Sequence, residues 1–226
     1  FDRPIRDGEG WDFAVFENAM NDTFLELAFV EVSTDGINFV RFDNCSLTPS
    51  PVSAFGAVEP SNLTGFAGKY KVGFGFGFDL ATLAEKPEVI SGLVALNNIR
   101  YVRIVDIVGD GNTNDNRSLA WRTAYGPNGP VYDPTPTSGS GGFDLEAVGV
   151  RHLAEPGFQL NRTQLNVSEP GGEATFTVTL TGPPVDDVVL NIRSANDSLA
   201  GASPMTLTFS PDNWFTPQEV TVIGVD

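Results

Sequence analysis

Apolar residues in this chain recur at every second position over short runs, and glycine, proline, asparagine or aspartate ends each run. That period belongs to strands with one buried face. Trp11–Asn18 (WDFAVFEN) and Phe24–Ser33 (FLELAFVEVS) alternate in this way, and Thr34-Asp35-Gly36 predicts a tight turn into INFVRF. Lys69–Phe78 sets Phe74, Phe76 and Phe78 on one face, which predicts a core face, followed by a short helical turn over Asp79–Ala84. Ile99–Val108 (IRYVRIVDIV) reads as the most buried strand, and Phe143–Val150 (FDLEAVGV) as one more. With 24 glycines, 16 prolines and 17 phenylalanines, the expected class is all-β.

Two stretches break the pattern. Residues 44–68 and 109–142 carry turn residues without a sustained period and are expected to be long loops, where binding chemistry is often placed. At HLAEPG (152–157) the composition shifts toward Thr, Val and Leu, which places a domain boundary there. The expected division is 1–153, a hinge at 154–157, and 158–226. Strands in the second part are read at 159–167, 174–181, 187–194, 205–210 and 218–224, with turns at 170–172 and 182–184.

Charge narrows the partners. Thirteen Lys and Arg face 29 Asp and Glu, a formal net charge of −16, which repels nucleic acid and anionic membrane surfaces and favours divalent cations. No apolar run approaches the roughly 20 residues of a membrane span. His152 is the sole histidine and lies at the hinge, so a histidine-based triad or a multi-histidine metal centre is excluded and no enzyme activity is expected. Cys45, the sole cysteine, permits no disulfide within the chain; it is a candidate for a bond between chains or an inert buried thiol. The start at Phe1 without methionine suggests a removed targeting segment, and hence an extracellular or cell-surface location.

The sharpest local constellation is Asp106, Asp110, Asn112, Asn114 and Asp115 around Gly111, oxygen-bearing side chains that could wrap one Ca2+ ion or form polar Asx turns. Glu17, Asn18 and Asp144 are further candidate calcium ligands, conditional on the fold bringing their segments together. Trp121, Tyr125 and Tyr132, with Arg117 or Arg122 as donors, are candidate carbohydrate contacts, or rings that fasten the loop to the body. Sequons at Asn21, Asn44, Asn62, Asn116, Asn161, Asn166 and Asn196 are candidate glycosylation sites.

VEVSTDGINFVRF and RYVRIVD, with WDFAVFEN and GGFDLEAVGV, resemble discoidin-like (galactose-binding-like) jelly-roll modules of predicted bacterial and archaeal surface proteins, over roughly 1–150. NVSEPGGEATFTVTLTGPP and LTFSPDNWFTPQEVTVIGVD are similar to Calx-β repeats of large adhesins. The resemblances imply two β-sandwich domains, the first jelly-roll-like and the second Ig-like. They also make Glu169, Asp197 and Asp226 the matching calcium positions of the second. Modules resembling the first domain carry an apolar strand before the equivalent of FDRPIRDG, which a neighbouring subunit could supply. The expected function is therefore an extracellular structural or adhesive protein, calcium-stabilised and polymerising head to tail by donor-strand complementation. The alternative is a carbohydrate-binding module with a Calx-β spacer.

Overall fold

The computed structural model describes residues 3–136, 142–154, 157–169, 171–182, 184 and 186–225. Most of the regular structure is strand, in several antiparallel sheets, and helix is sparse. The chain divides into two compact units, Arg3–Leu153 and a second from Ala154 onward; of the expected hinge, 155 and 156 lie outside the described residues.

The first unit holds β1 (Phe13–Glu17), β2 (Ala28–Ser33), β3 (Val40–Arg41), β4 (Cys45–Ser46), β5 (Leu63–Thr64), β6 (Phe76–Phe78), β7 (Tyr101–Asp106), β8 (Asp110–Asn114), β9 (Pro130–Tyr132) and β10 (Leu145–Val150). Two helical segments, α1 (Pro87–Ile90) and α2 (Leu119–Tyr125), and two short 3-10 turns interrupt them. One sheet runs β10-β1-β6 and another β3-β2-β7, while β4 pairs with β5 and β8 with β9. Phe13 and Val15 of β1, Phe78 of β6, and Ala28, Val30 and Val32 of β2 share one core with Val102, Ile104, Val148 and Val150. Strands of both three-stranded sheets thus contribute to one apolar core. Within it Phe13 stacks on Phe78 at 5.5 Å between ring centroids. Removing a buried ring of this kind costs about 3–5 kcal/mol.

The other face of β2 is buried as well. Phe29, with Leu25 and Leu27 before it, joins Leu63, Phe66, Val131 and neighbours in a second core. Part of the stretch expected as a loop over 44–68 therefore covers β2, held by the β4–β5 pair and by the Val58 amide donating to the Thr23 carbonyl. This double cover makes β2 the most buried strand, not β7, which pairs only with β2 among the described strands and alternates exposed and half-buried residues. The predicted turn after β2 forms as read: Ser33 and Asp35 accept backbone N–H groups, and Gly36 takes a φ of +77°. Those bonds hold the Asp35 carboxyl far below the usual range. Phe74 departs from the expected core face, lying exposed before β6 begins. The expected loop around Trp121 is instead the helix α2, capped by Ser118 Oγ, which accepts from the Trp121 amide at 3.2 Å.

The second unit has a four-stranded sheet, β11 (Phe158–Leu160), β12 (Glu173–Leu180), β16 (Gln218–Gly224) and β14 (Ala200–Ser203), and a pair formed by β13 (Val188–Asn191) and β15 (Thr206–Phe209). Val178, Leu180, Val220, Leu207, Phe209 and Trp214 form its core. The first strand is shorter than read, and β14 is additional.

Candidate cation site

Three core-facing rows of the first unit end in an acid. Glu17 continues the row Phe13–Val15 on β1, Glu26 precedes Ala28–Val30–Val32 on β2, and Asp106 continues Val102–Ile104 on β7. Of these carboxylates Glu17 is buried, Glu26 half-buried and Asp106 exposed at the rim. The antiparallel pairing sets Ala28 opposite Asp106, so two of the rows finish at one end. Asp144 directly precedes β10, where a register shift between Phe16 and Glu17 brings Glu17 opposite Leu145. Asp133 follows β9, and its Oδ2 accepts from the Leu27 amide at 2.9 Å.

Glu26, Asp106, Asp133 and Gly142 line a cavity of about 230 Å³ there. Each acid uses one oxygen on the backbone. Glu26 Oε1 accepts from the Gly142 amide at 2.8 Å, and Asp106 Oδ1 from the Phe143 amide at 2.9 Å. Glu17 is 1 % exposed; its Oε2 accepts from the Ala19 amide at 2.7 Å, while Oε1 is buried without a partner. An orphaned carboxylate oxygen in the interior is costly unless a proton or a cation meets it. Burial pushes the Glu17 carboxyl up to about 7, with the charges of Glu26 and Asp144 adding to the rise. Burial likewise raises Asp133 to about 7, with Asp106 and Glu26 adding. Glu26 is raised by burial and by Asp144 and Asp106.

Gly109 makes room for this arrangement. Its φ is +75°, and a Cβ there would fall 1.6 Å from Asp133 Oδ1.

Of the residues expected to bind calcium, the fold gathers Glu17, Asp106 and Asp144 and adds Glu26 and Asp133. The sequence signal for both additions is an acid inside an apolar stretch, LEL and VYDP. The others point elsewhere. Asp110, Asn112 and Asn114 lie on β8, where Asp110 accepts from the backbone and side-chain amides of Asn112, bonds that lower its carboxyl. Asp115 is inside, ion-paired to Arg117 and accepting from the Ser46 and Gly129 amides, so its oxygens are already bound by protein donors. Asn18 is exposed beside Glu17. In the second unit Glu169 and Asp197 are exposed, and Asp226 lies outside the described residues.

Among the described residues, the acidic trio with ligand oxygens within 4.8 Å of one another is Asp7, Asp12 and Asp79. Asp12 there is a structural hub: its oxygens accept from the Gly8 and Leu80 amides and meet His152 Nδ1 at 2.7 Å. The five acids around Glu17 are set more widely.

Trp121 lines a separate cleft, Tyr125 is exposed, and the Tyr132 ring covers Gly111, so the three expected sugar contacts form no common platform. Cys45 is buried and its thiol is pushed up by burial, which accords with the inert buried thiol rather than with a bond between chains. Asn44 is fully buried with both amide atoms bonded, to the Phe42 carbonyl and the Asn116 amide, so a glycan there is incompatible with this fold. Asn21, Asn161, Asn166 and Asn196 are exposed, and Asn62 and Asn116 half-buried. Comparison of the chain with protein-family models, with curated proteins and with solved structures returns no match.

Proposed function

We propose that the protein is an extracellular structural or adhesive module of two β-sandwich domains, the first of which is locked at one end by a calcium-like divalent cation. The observation that supports this most directly is the buried, unpartnered Glu17 Oε1 among four further carboxylates. A hard cation takes six to eight oxygens at about 2.3–2.6 Å, a demand that carboxylates, backbone carbonyls and water can meet together. Binding would draw the five acids inward and cancel their mutual repulsion. The ion would also tie β1, β2, β7 and the segment before β10 to one point, joining the two sheets where their shared core ends. Such a clamp suits a module that bears load in a saline exterior.

Titration of the chelator-treated protein with calcium, followed by calorimetry and thermal unfolding, tests the reading. Saturable binding with a raised unfolding temperature supports it; no binding at millimolar calcium overturns it.

Assembly through an added strand is a second reading, favoured by β7. Among the described strands β7 has only β2 as a partner, and Val102 and Ile104 on its core face are half-buried. A strand from another copy laid along that edge would pair its backbone and cover those side chains. Sedimentation across concentration tests this, with a concentration-dependent polymer as the supporting result and a lone monomer as the opposing one.

A further inference from the structure

A second cavity, of about 400 Å³, opens on the first unit beside β6 and α2. Phe42, Phe76, Phe78 and Trp121 form its apolar walls, and Asp43 and Asp79 contribute carboxylates. Phe42 and Phe78 are almost wholly buried, and Phe76 and Trp121 are half-buried. Phe76 meets Phe78 edge-on at 5.1 Å between centroids, and Phe42 tilts against Phe78 at 4.9 Å, so the aromatic wall is rigidly packed.

The two carboxylates are not equivalent. Asp43 is ion-paired with the Lys86 ammonium, so its charge is met within the protein. Asp79 accepts from the Ala81 amide, has no cationic partner among the described residues, and belongs to the trio with Asp7 and Asp12. His152 is bonded to Asp12 of that trio. One Asp7 oxygen is buried without a partner. Asp7 and Asp12 lie outside the lining of the cleft, which therefore joins an aromatic wall to one carboxylate, Asp79, that no cation among the described residues meets.

We propose that this cleft binds an organic ammonium ion, a primary or quaternary amine whose apolar body lies against Phe76 and Trp121 and whose charge meets Asp79. Ring faces attract cations through their quadrupole, most strongly for tryptophan. The net charge of −16 draws cations toward the surface and repels anions. A neutral ligand would leave the Asp79 charge uncompensated, and the volume suits a small molecule. The inference is independent of the cation site around Glu17, which lies among other residues.

The test is isothermal titration of the whole chain at low ionic strength with benzylamine, tetramethylammonium and benzyl alcohol. The two cations are expected to bind, and benzyl alcohol at least tenfold more weakly than benzylamine. Asp79→Asn is expected to weaken benzylamine about tenfold, and Trp121→Ala roughly threefold to fivefold. Asparagine still caps the 3-10 turn at Leu80–Leu83, so an unchanged unfolding temperature verifies that Asp79→Asn is folded. Equal binding of benzylamine and benzyl alcohol, a neutral disaccharide binding where the cations do not, or an Asp79→Asn chain with unchanged amine affinity would each overturn the proposal.

Discussion

Arg117 donates from Nε to Asp115 Oδ2 at 2.8 Å, with both side chains withdrawn from water. The same guanidinium donates to the carbonyls of Ser46 and Tyr125, so one buried pair ties β4, the end of α2 and the segment after β8 together. Removing one member leaves an uncompensated interior charge. Asp115→Ala or Arg117→Ala is expected to lower the free energy of unfolding by about 3–5 kcal/mol in urea titrations. Removing the exposed Lys71–Asp22 pair should change it by less than about 1 kcal/mol. Equal effects would contradict the structural role assigned to Asp115.

Glu17 should behave in the opposite manner. In chelator-treated protein, Glu17→Gln is expected to be neutral or stabilising near neutral pH, because it removes a charge from a crowded interior. The same change should abolish most of the gain from calcium, which for an intact site is about 2.7 kcal/mol at a concentration of one hundred times Kd. Magnesium should stabilise less, since it requires a tighter octahedron of oxygens. Calorimetric melts of both proteins, with and without each ion, decide the matter.

The pH dependence follows from the same cluster. Folding raises Glu17 from 4.5 and Asp133 from 3.8 to about 7, so the native state keeps protons that the unfolded chain releases. Stability from these groups is complete below their unfolded values and falls as pH rises to about 7, by about 3 kcal/mol for Glu17 alone. Glu26 and Asp7, also raised, act in the same direction. Asp35, Glu59 and Asp110 are lowered and exposed, and their contributions fade only under more acid conditions. Denaturant melts without metal between pH 4.5 and 7.5 should show the decline, and saturating calcium should flatten it. A rise in stability across that range without metal would show that the carboxylates are not buried together.

Cys45 is 4 % exposed. Its thiol should react with a disulfide reagent only as fast as the protein opens, and oxidation of the folded chain should leave no covalent dimer on a non-reducing gel. Rapid stoichiometric labelling would place the thiol at the surface.

Local pattern made several features legible. The turn at Thr34-Asp35-Gly36 was readable because its bonds lie within a few residues, and the inward rows of β1 and β2 because alternation is a property of one strand. For Asp110, Asn112, Asn114 and Asp115 the sequence leaves a cation loop and polar Asx turns both open, because closeness in sequence is not convergence in space. In the structure the Asp110 oxygens accept from the Asn112 amides in an Asx turn, and Asp115 is held in a buried ion pair with Arg117.

What the sequence alone determined, therefore, was the strand class and the acidity. Each follows from composition or from a period of two along one segment. Which acids share a cavity, which strand is covered on both faces and whether Cys45 meets water were decided only in the tertiary structure. Glu26, Asp106 and Asp133, which line the cavity, and Glu17 and Asp144, electrostatic neighbours of Glu26, come from five separated segments. Their meeting depends on strand register and on which sheets close over a common core, and no single segment encodes either.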